Sequence, residues 1–357
     1  MRKIKPIIKI LSFSLIFSIL LFVLSYMAKP AGYNVGHIQG LYAEKENSID
    51  VVYIGGSAAF VYYAPLKSWE DYGIVSYDYA TDTIQAELYK TMIKEILKTQ
   101  KPKLIIVDAR AFQYRDKDNV DAQPPREASY RNCLTGMRLS QNKIDFINQN
   151  VGVQIDKNDK LSYYFDLIKY HDNIVRFRSN NIKMMFGKYK DPYNGFLFVP
   201  KVEKIQQYDF KTDEEKAVSK DTEAILIDLL DYMDLTDIDY LFTVCPYAEK
   251  KEHKMTFNYV QKIIEERGYK FIDCNEYTEQ MDLDYSINFY NENHVNIFGA
   301  EKYTDFLNQY ILENYSIPNR KDDANYSFMN TYLSDWNNDV EKTKAEINKL
   351  IEDEDNE

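Results

Sequence analysis

Two stretches near opposite ends of the chain hold the side chains best suited to nucleophilic chemistry. Ser57 follows a hydrophobic run and two glycines in VVYIGGSAAFVYYAP, residues 51–65. His294 lies in NFYNENHVNIFGAEKYTDFLNQYI, residues 288–311, just before an amphipathic helical pattern. A histidine that takes the serine proton as general base makes the hydroxyl a nucleophile. Taken singly, the first stretch also fits a structural turn or a phosphate-binding loop, and the second fits a helix-capping or exposed histidine.

Short apolar strands that alternate with helices are the elements that must position these two residues. The pattern predicts helices at 83–99 and 250–268 and strands at residues 48–55, 73–80, 101–109, 236–246 and 269–274. With right-handed crossovers, this alternation makes a three-layer α/β/α, doubly wound parallel sheet of flavodoxin-like type. Ligands of such sheets bind at the carboxyl ends of the strands, where Ser57 would lie.

The N-terminus, residues 1–28, is predicted to be a membrane anchor. Four basic residues in MRKIKPIIK precede an uncharged run from Ile10 to Met27, which is long enough to cross a bilayer. The positive-inside rule then leaves the remainder of the chain outside the cytoplasm, as a single-pass membrane protein. A cleaved signal peptide is the alternative, but the apolar run exceeds the usual signal core.

The rest of the chain divides into three predicted parts. Residues 29–48 form a linker, and residues 49–315 form the α/β/α domain. A helical insertion at about 112–236 interrupts this domain and forms part of a cap, with helices at 140–150, 160–179 and 214–233. Residues 316–357 form a polar, acidic tail with one amphipathic helix, expected to be solvated.

Charge and cysteine content exclude several function classes. The formal net charge of −12 argues against a nucleic-acid partner, because phosphate binding needs a basic surface. Three cysteines and four scattered histidines show no metal-ligand spacing, so we expect neither a metal nor a cofactor.

Together these stretches resemble the SGNH hydrolase family, the GDSL-like lipases and acylhydrolases. The resemblance lies in IGGSAAFVYYAP, in YGIVSYDYATDTIQAELYKTMIKEILKTQKPKLIIVDAR and in YNENHVNIFGAEKYT, and it covers most of residues 49–312. The members that come nearest are membrane-anchored proteins of bacterial envelopes, related to the alginate O-acetylation proteins and the teichoic-acid D-alanylation protein.

The resemblance implies roles for individual residues. Ser57 matches the nucleophile and His294 the base, while Gly56 leaves room for a substrate carbonyl. Ala80 falls near the family's second-block glycine, so its backbone N–H is the implied oxyanion donor. Arg110 stands where the family has an asparagine, and its guanidinium either serves the oxyanion or an acyl donor, or is a surface or salt-bridged arginine.

Asn291 stands where the family usually has the aspartate that orients the histidine. An amide oxygen can accept the Nδ1–H of His294, but it does not stabilise an imidazolium with a full charge. In a serine protease, the change from aspartate to asparagine costs about ten-thousandfold in turnover. Three alternatives stay open. The site is a Ser-His-Asn triad, it takes a carboxylate such as Glu292 or Asp284, or it is catalytically silent.

The resemblance implies an extracytoplasmic enzyme that hydrolyses or transfers an ester-linked acyl group, with acetyl as the first choice. The substrate would be an envelope or secreted carbohydrate or a small acyl ester, and a polytopic membrane acyltransferase is an implied partner. The alternative is a silent protein of the same fold that binds or assembles glycans.

Overall fold

The computed structural model describes residues 4–115, 126–152 and 159–355. At its centre lies a five-stranded parallel sheet with strand order β2-β1-β3-β4-β5. The strands are β1 Val51–Gly55, β2 Ser76–Ala80, β3 Leu104–Asp108, β4 Asp239–Val244 and β5 Lys270–Asp273. All five predicted strands are therefore confirmed, and so is their arrangement in a parallel sheet with flanking helices.

The central strands β1 and β3 are buried along their whole length because both faces of the sheet are covered. Val52 and Ile54 of β1 point into one buried cluster, which also receives Val107 of β3. Val51 and Tyr53 of the same strand point into a second buried cluster on the opposite face. Helices cover each cluster, and the carboxyl ends of the strands stay open for a site.

Fifteen α-helices surround the sheet within the described residues. In chain order they are α1 Ile4–Ala28, α2 Tyr33–Leu41, α3 Ser57–Tyr62, α4 Pro65–Tyr72, α5 Tyr89–Ile96, α6 Arg110–Arg115, α7 Arg126–Gly136, α8 Gln141–Asn150, α9 Lys160–Tyr164, α10 Asp166–Tyr170, α11 Ser179–Met185, α12 Lys220–Met233, α13 Lys251–Glu266, α14 Ile297–Asn314 and α15 Asn330–Asp355. A two-stranded antiparallel hairpin, β6 Phe289–Asn291 and β7 His294–Val295, precedes α14.

Helix α1 matches the predicted anchor. The segment Lys5–Ala28 is long and apolar enough to cross a membrane, with a mean hydropathy of 2.7. Side chains from Lys5 to Leu20 are exposed, whereas Ser25, Tyr26 and Ala28 are buried against the rest of the protein.

The predicted helix at 140–150 is confirmed as α8, whereas the other two predicted helices of the insertion are divided or shortened. The expected helix at 160–179 is divided because Phe165 adopts an extended backbone, which separates α9 from α10. A 3-10 helix, His171–Arg176, then connects α10 to α11. The insertion also includes residues 116–125 and 153–158, which lie outside the described part of the chain.

The segment 29–48, expected as a linker, contains the buried helix α2. Its residues from Val35 to Leu41 are buried. Gly36 and Gly40 permit this packing, because a Cβ at either position would meet the Tyr189 or Tyr77 hydroxyl at under 3 Å. These glycines serve close packing in a helix rather than flexibility.

The tail after residue 316 packs on the domain instead of being solvated. Helix α15 buries one face in the second cluster, through Trp336, Val340, Thr343 and Ile347. This spacing of four, three and four residues is the apolar stripe of an amphipathic helix. The acidic residues occupy the other face, which explains why composition alone indicates a solvated tail.

Candidate active site

Ser57 begins a short helix directly after the central strand β1. It is the one residue between Val51 and Phe60 that is not buried. Gly56 forms the N-cap of α3, with an extended backbone at φ −82° and ψ −161°. N–H groups in the first turn of a helix have no partner within the helix, so the Ser57 N–H can donate to a ligand.

A buried carboxylate, Asp108, lies beneath this turn at the end of β3. Its Oδ1 accepts the Arg110 N–H at 3.0 Å. Burial raises the pKa of Asp108, and the Arg110 guanidinium and the N–H groups of Arg110 and Gly56 offset part of that rise. A Cβ on Gly55 would lie 2.7 Å from the Asp108 Cβ, so only glycine allows the two strand ends to pack this closely.

His294 reaches Ser57 from the β6–β7 hairpin. The Ser57 hydroxyl donates to His294 Nε2 at 2.6 Å, and His294 Nδ1 donates to Asn291 Oδ1 at 2.9 Å. The same Asn291 oxygen also accepts the Asn293 N–H at 2.9 Å, which sets the orientation of the amide. Because an amide oxygen only accepts, the ring proton lies on Nδ1 and Nε2 is the base. The arrangement is a hydrogen-bonded Ser-His-Asn triad.

The surroundings of the imidazole favour its neutral form. Burial, followed by the positive charge of Arg110, lowers the pKa of His294 from 6.5 to about 3. The Tyr290 ring stacks on His294 with centroids 5.3 Å apart and an interplanar angle of 5°. The base is therefore unprotonated at neutral pH, but the imidazolium that it must form gains no stabilising charge.

Neither carboxylate considered from the sequence orients this histidine. Asp284 accepts from the N–H and the hydroxyl of Ser286, which lowers its pKa. The Glu292 side chain is exposed, and its backbone carbonyl accepts the Ala248 N–H at 2.8 Å. Asn291 alone holds His294 Nδ1 among the described residues.

Arg110 is a buried residue of the site rather than a surface arginine. Its Nη1 donates to the Asn293 carbonyl at 3.2 Å, and its Nη2 donates to Asn293 Oδ1 at 3.3 Å. The guanidinium carbon lies 4.6 Å from the centroid of the Tyr247 ring. Arg110 thus connects the end of β3 to the hairpin that carries His294.

Among the predicted oxyanion-site residues, Ala80 contributes differently from expectation. The Thr81 N–H donates to the Gly55 carbonyl, while the Ala80 carbonyl points the opposite way and accepts from His37 Nδ1 at 3.3 Å. The Ala80 N–H shares that outward direction, so the structure does not bring it to Ser57. The Gly56 N–H donates to Asp108.

The loop after β2 contacts the serine turn in place of Ala80. Ile84 lies against Gly56, with its Cγ2 3.5 Å and its N 4.0 Å from the position of a Cβ on that glycine. Thr83, one residue earlier, has a positive φ of 54°, which is uncommon for a β-branched residue. Sequence reasoning missed this loop as well as Tyr290 and Asn293. For the latter two the available signal was their closeness to His294 in the same hairpin.

A cavity of about 540 Å³ is lined by residues that contact α3, the helix that begins at Ser57. Tyr33 and His37 of α2 line it, and both rings contact Phe60 of α3, with centroids 5.6 and 5.0 Å apart. The opposite wall includes Arg178 of α11 and aromatic residues between Tyr189 and Phe198. This cavity offers room for a substrate beside the helix that presents the serine.

Comparison with known proteins adds no family to these observations. No protein-family model matches the chain, and no curated protein is significantly similar to it. Among the described residues, no group of three His, Cys, Asp or Glu side chains is placed to hold a metal ion.

Proposed function

We propose that this chain is a serine-dependent acyl-ester hydrolase or O-acyltransferase of the SGNH type, acting on an envelope or secreted carbohydrate. The observation that carries the proposal is the Ser57–His294–Asn291 triad at the carboxyl end of the sheet. The resemblance of the three sequence blocks to SGNH enzymes supports the same chemistry and favours acetyl as the acyl group.

The reaction proceeds through an acyl-enzyme. Ser57 Oγ attacks the acyl carbonyl as His294 Nε2 takes its proton, and the Ser57 N–H and Arg110 stabilise the oxyanion. The intermediate collapses as His294 returns the proton to the leaving alcohol. A sugar hydroxyl or water then gives its proton to His294 and attacks the acyl-serine, which releases the product and restores the serine.

Membrane attachment favours transfer over hydrolysis. With α1 in the bilayer and the basic N-terminus in the cytoplasm, the site lies outside the cytoplasm and beside the membrane. A polytopic acyltransferase could there deliver acyl groups to Ser57. The alternative function is a silent glycan-binding protein, and the uncharged Asn291 together with the low pKa of His294 favours it.

The test is labelling of the full-length chain in detergent with a fluorophosphonate probe, alongside turnover of p-nitrophenyl acetate. We expect wild-type protein and the control Ser327→Ala, an exposed serine of the tail, to react equally. Ser57→Ala should lose labelling, and His294→Ala should lose turnover. Folded wild-type protein that neither labels nor turns over would contradict the enzyme and support the silent alternative.

A further inference from the structure

The end of α1 is embedded in residues 160–188, which we call the collar. Asn181 Nδ2 donates to the carbonyls of Tyr26 and Lys29, at 3.0 and 3.1 Å, and Asn173 Nδ2 donates to that of Ala28 at 3.2 Å. These bonds satisfy carbonyls that the end of a helix leaves unpaired. A buried ion pair between Lys29 and Asp166 of the collar, at 2.5 Å, adds a further link.

The length of α1 places this junction at the membrane surface. The uncharged run Ile10–Met27 has 18 residues and spans about 27 Å, against a hydrocarbon core of about 30 Å. The whole run is therefore needed to cross the bilayer. Ser25 and Tyr26, near its end, are buried against the protein, so the collar that contacts them lies at the level of the lipid headgroups.

The collar exposes apolar side chains that water does not favour. Val175 is 87% exposed and Phe186 is 67% exposed. The full set of exposed large apolar residues in the collar is Leu161, Ile168, Val175, Phe177, Ile182 and Phe186. Exposed apolar side chains beside a membrane-crossing helix are suited to the acyl-headgroup boundary.

The charge of the collar is opposite to that of the whole chain. Residues 160–188 contain six basic and two acidic residues, while the chain has a net charge of −12. One of the two acidic residues, Asp166, forms an ion pair with Lys29. Four exposed basic side chains form no ion pair with a carboxylate of the described residues, namely Arg176, Arg178, Lys183 and Lys188. Such side chains attract anionic lipid headgroups.

We propose that the collar is a membrane-docking surface, which inserts its exposed apolar side chains into the bilayer and binds anionic headgroups through its basic residues. The proposal requires that α1 crosses the membrane, and it does not depend on the catalytic proposal. The domain is then held at the bilayer by α1 and the collar together.

The test uses the full-length chain in vesicles of phosphatidylcholine with phosphatidylglycerol, and single added cysteines labelled with an environment-sensitive fluorophore. The native cysteines are buried, which limits their labelling. We expect nitroxide lipids to quench labels at Val175→Cys and Phe186→Cys. The control Leu235→Cys, which is 83% exposed just before β4, should not be quenched. A label at Phe17→Cys reports the insertion of α1.

Two outcomes would overturn the proposal. If the Phe17 label is quenched but the collar labels are as unquenched as the Leu235 label, the collar lies in water. If the Phe17 label is itself unquenched, α1 does not cross the membrane. The charge is tested by Arg176→Glu with Lys183→Glu, which we expect to reduce collar quenching at least twofold. The matched control Lys211→Glu with Lys349→Glu, both exposed and outside the collar, should leave it unchanged. Equal quenching of the collar labels in the two double variants would exclude the headgroup contact. The same conclusion would follow if the wild-type collar were quenched equally in vesicles with and without phosphatidylglycerol.

Discussion

Ser57 and His294, the dyad of the site, are held in place by different chemical groups. Ser57 follows a turn whose backbone is fastened by the buried carboxylate of Asp108, whereas His294 is held by the neutral amide of Asn291. The carboxylate close to the site thus stabilises backbone, and the histidine receives orientation without charge. This difference indicates a site in which His294 is positioned and kept neutral. Under the proposed function, the formation of imidazolium would then limit the rate.

Removal of the serine-side carboxylate should have the largest effect. In Asp108→Ala the N–H groups of Gly56 and Arg110 lose their acceptor, and we expect about a thousandfold loss of turnover, since small displacements of a nucleophile are costly. Asp108→Asn keeps an acceptor oxygen and should lose far less. Steady-state esterase assays distinguish the two, and equal losses would show that the charge, and not the hydrogen bonds, matters.

Gly55→Ala should have the next largest effect, which is a loss of stability. The added Cβ meets the Asp108 Cβ at 2.7 Å and the Ala59 Cβ at 3.0 Å, so overpacking should reduce the free energy of unfolding by about 1–3 kcal/mol. Gly56→Ala is the matched control, because its Cβ meets Ile84 Cγ2 at an ordinary 3.5 Å. Urea denaturation measures both, and a control as unstable as Gly55→Ala would contradict the packing argument.

Asn291→Asp tests the histidine side of the comparison. A carboxylate at this position stabilises the imidazolium, so turnover should rise about tenfold. This gain is smaller than the loss of about ten-thousandfold that the opposite change causes in a serine protease, because this site is built around an amide. The pKa of His294 should rise as well. Asn291→Ala is the control that removes the contact, and it should lower turnover. An unchanged rate in the aspartate variant would mean that imidazolium formation does not limit the reaction.

The pH dependence should be the smallest effect in the wild-type protein. Since the pKa of His294 is lowered to about 3, the base stays neutral and turnover should vary by less than about twofold between pH 5 and 8. Asn291→Asp should introduce an acid limb within or near this range. A wild-type profile that falls below pH 6.5 would show an imidazole with an ordinary pKa.

The same low pKa predicts a contribution to stability with a definite sign. Below pH 6.5 the unfolded chain binds a proton at His294 that the folded protein does not, so the free energy of unfolding falls as the pH decreases toward 3. His294→Gln removes this contribution. Urea midpoints at pH 7 and pH 4 should therefore differ less in the variant than in the wild-type protein.

The sequence predicts the sheet and the dyad because both depend on local patterns. Apolar runs bounded by turn residues mark all five strands, and Ser57 and His294 come after a strand and before a helix where side chains reach the open edge. The Ala80 N–H is predicted as an oxyanion donor only because Ala80 falls near the second-block glycine of the SGNH family. The direction of its N–H depends on which neighbour strand β2 pairs with, and only the fold determines that.

The linker expected at 29–48 and the solvated tail expected at 316–357 both differ from the structure for a common reason. Helix α2 contains two glycines and no apolar stripe, so its burial follows from close packing against residues far along the chain. Helix α15 has an apolar stripe, but its many acidic residues make the composition of the tail look polar. In both cases tertiary contacts outweigh the local preference of the chain.

The short connection between α1 and α2 limits how far the Ser57 site can lie from the membrane-crossing helix. Four residues separate Ala28 from Tyr33, which allows at most about 19 Å between them. Tyr33 contacts Asp82 and Phe60, so this end of α2 lies next to the sheet edge that carries the dyad. With α1 in the bilayer, Ser57 therefore stays close to the membrane. Under the proposed function, an acceptor polymer must approach Ser57 at the membrane, and its membrane-proximal units are the ones within range.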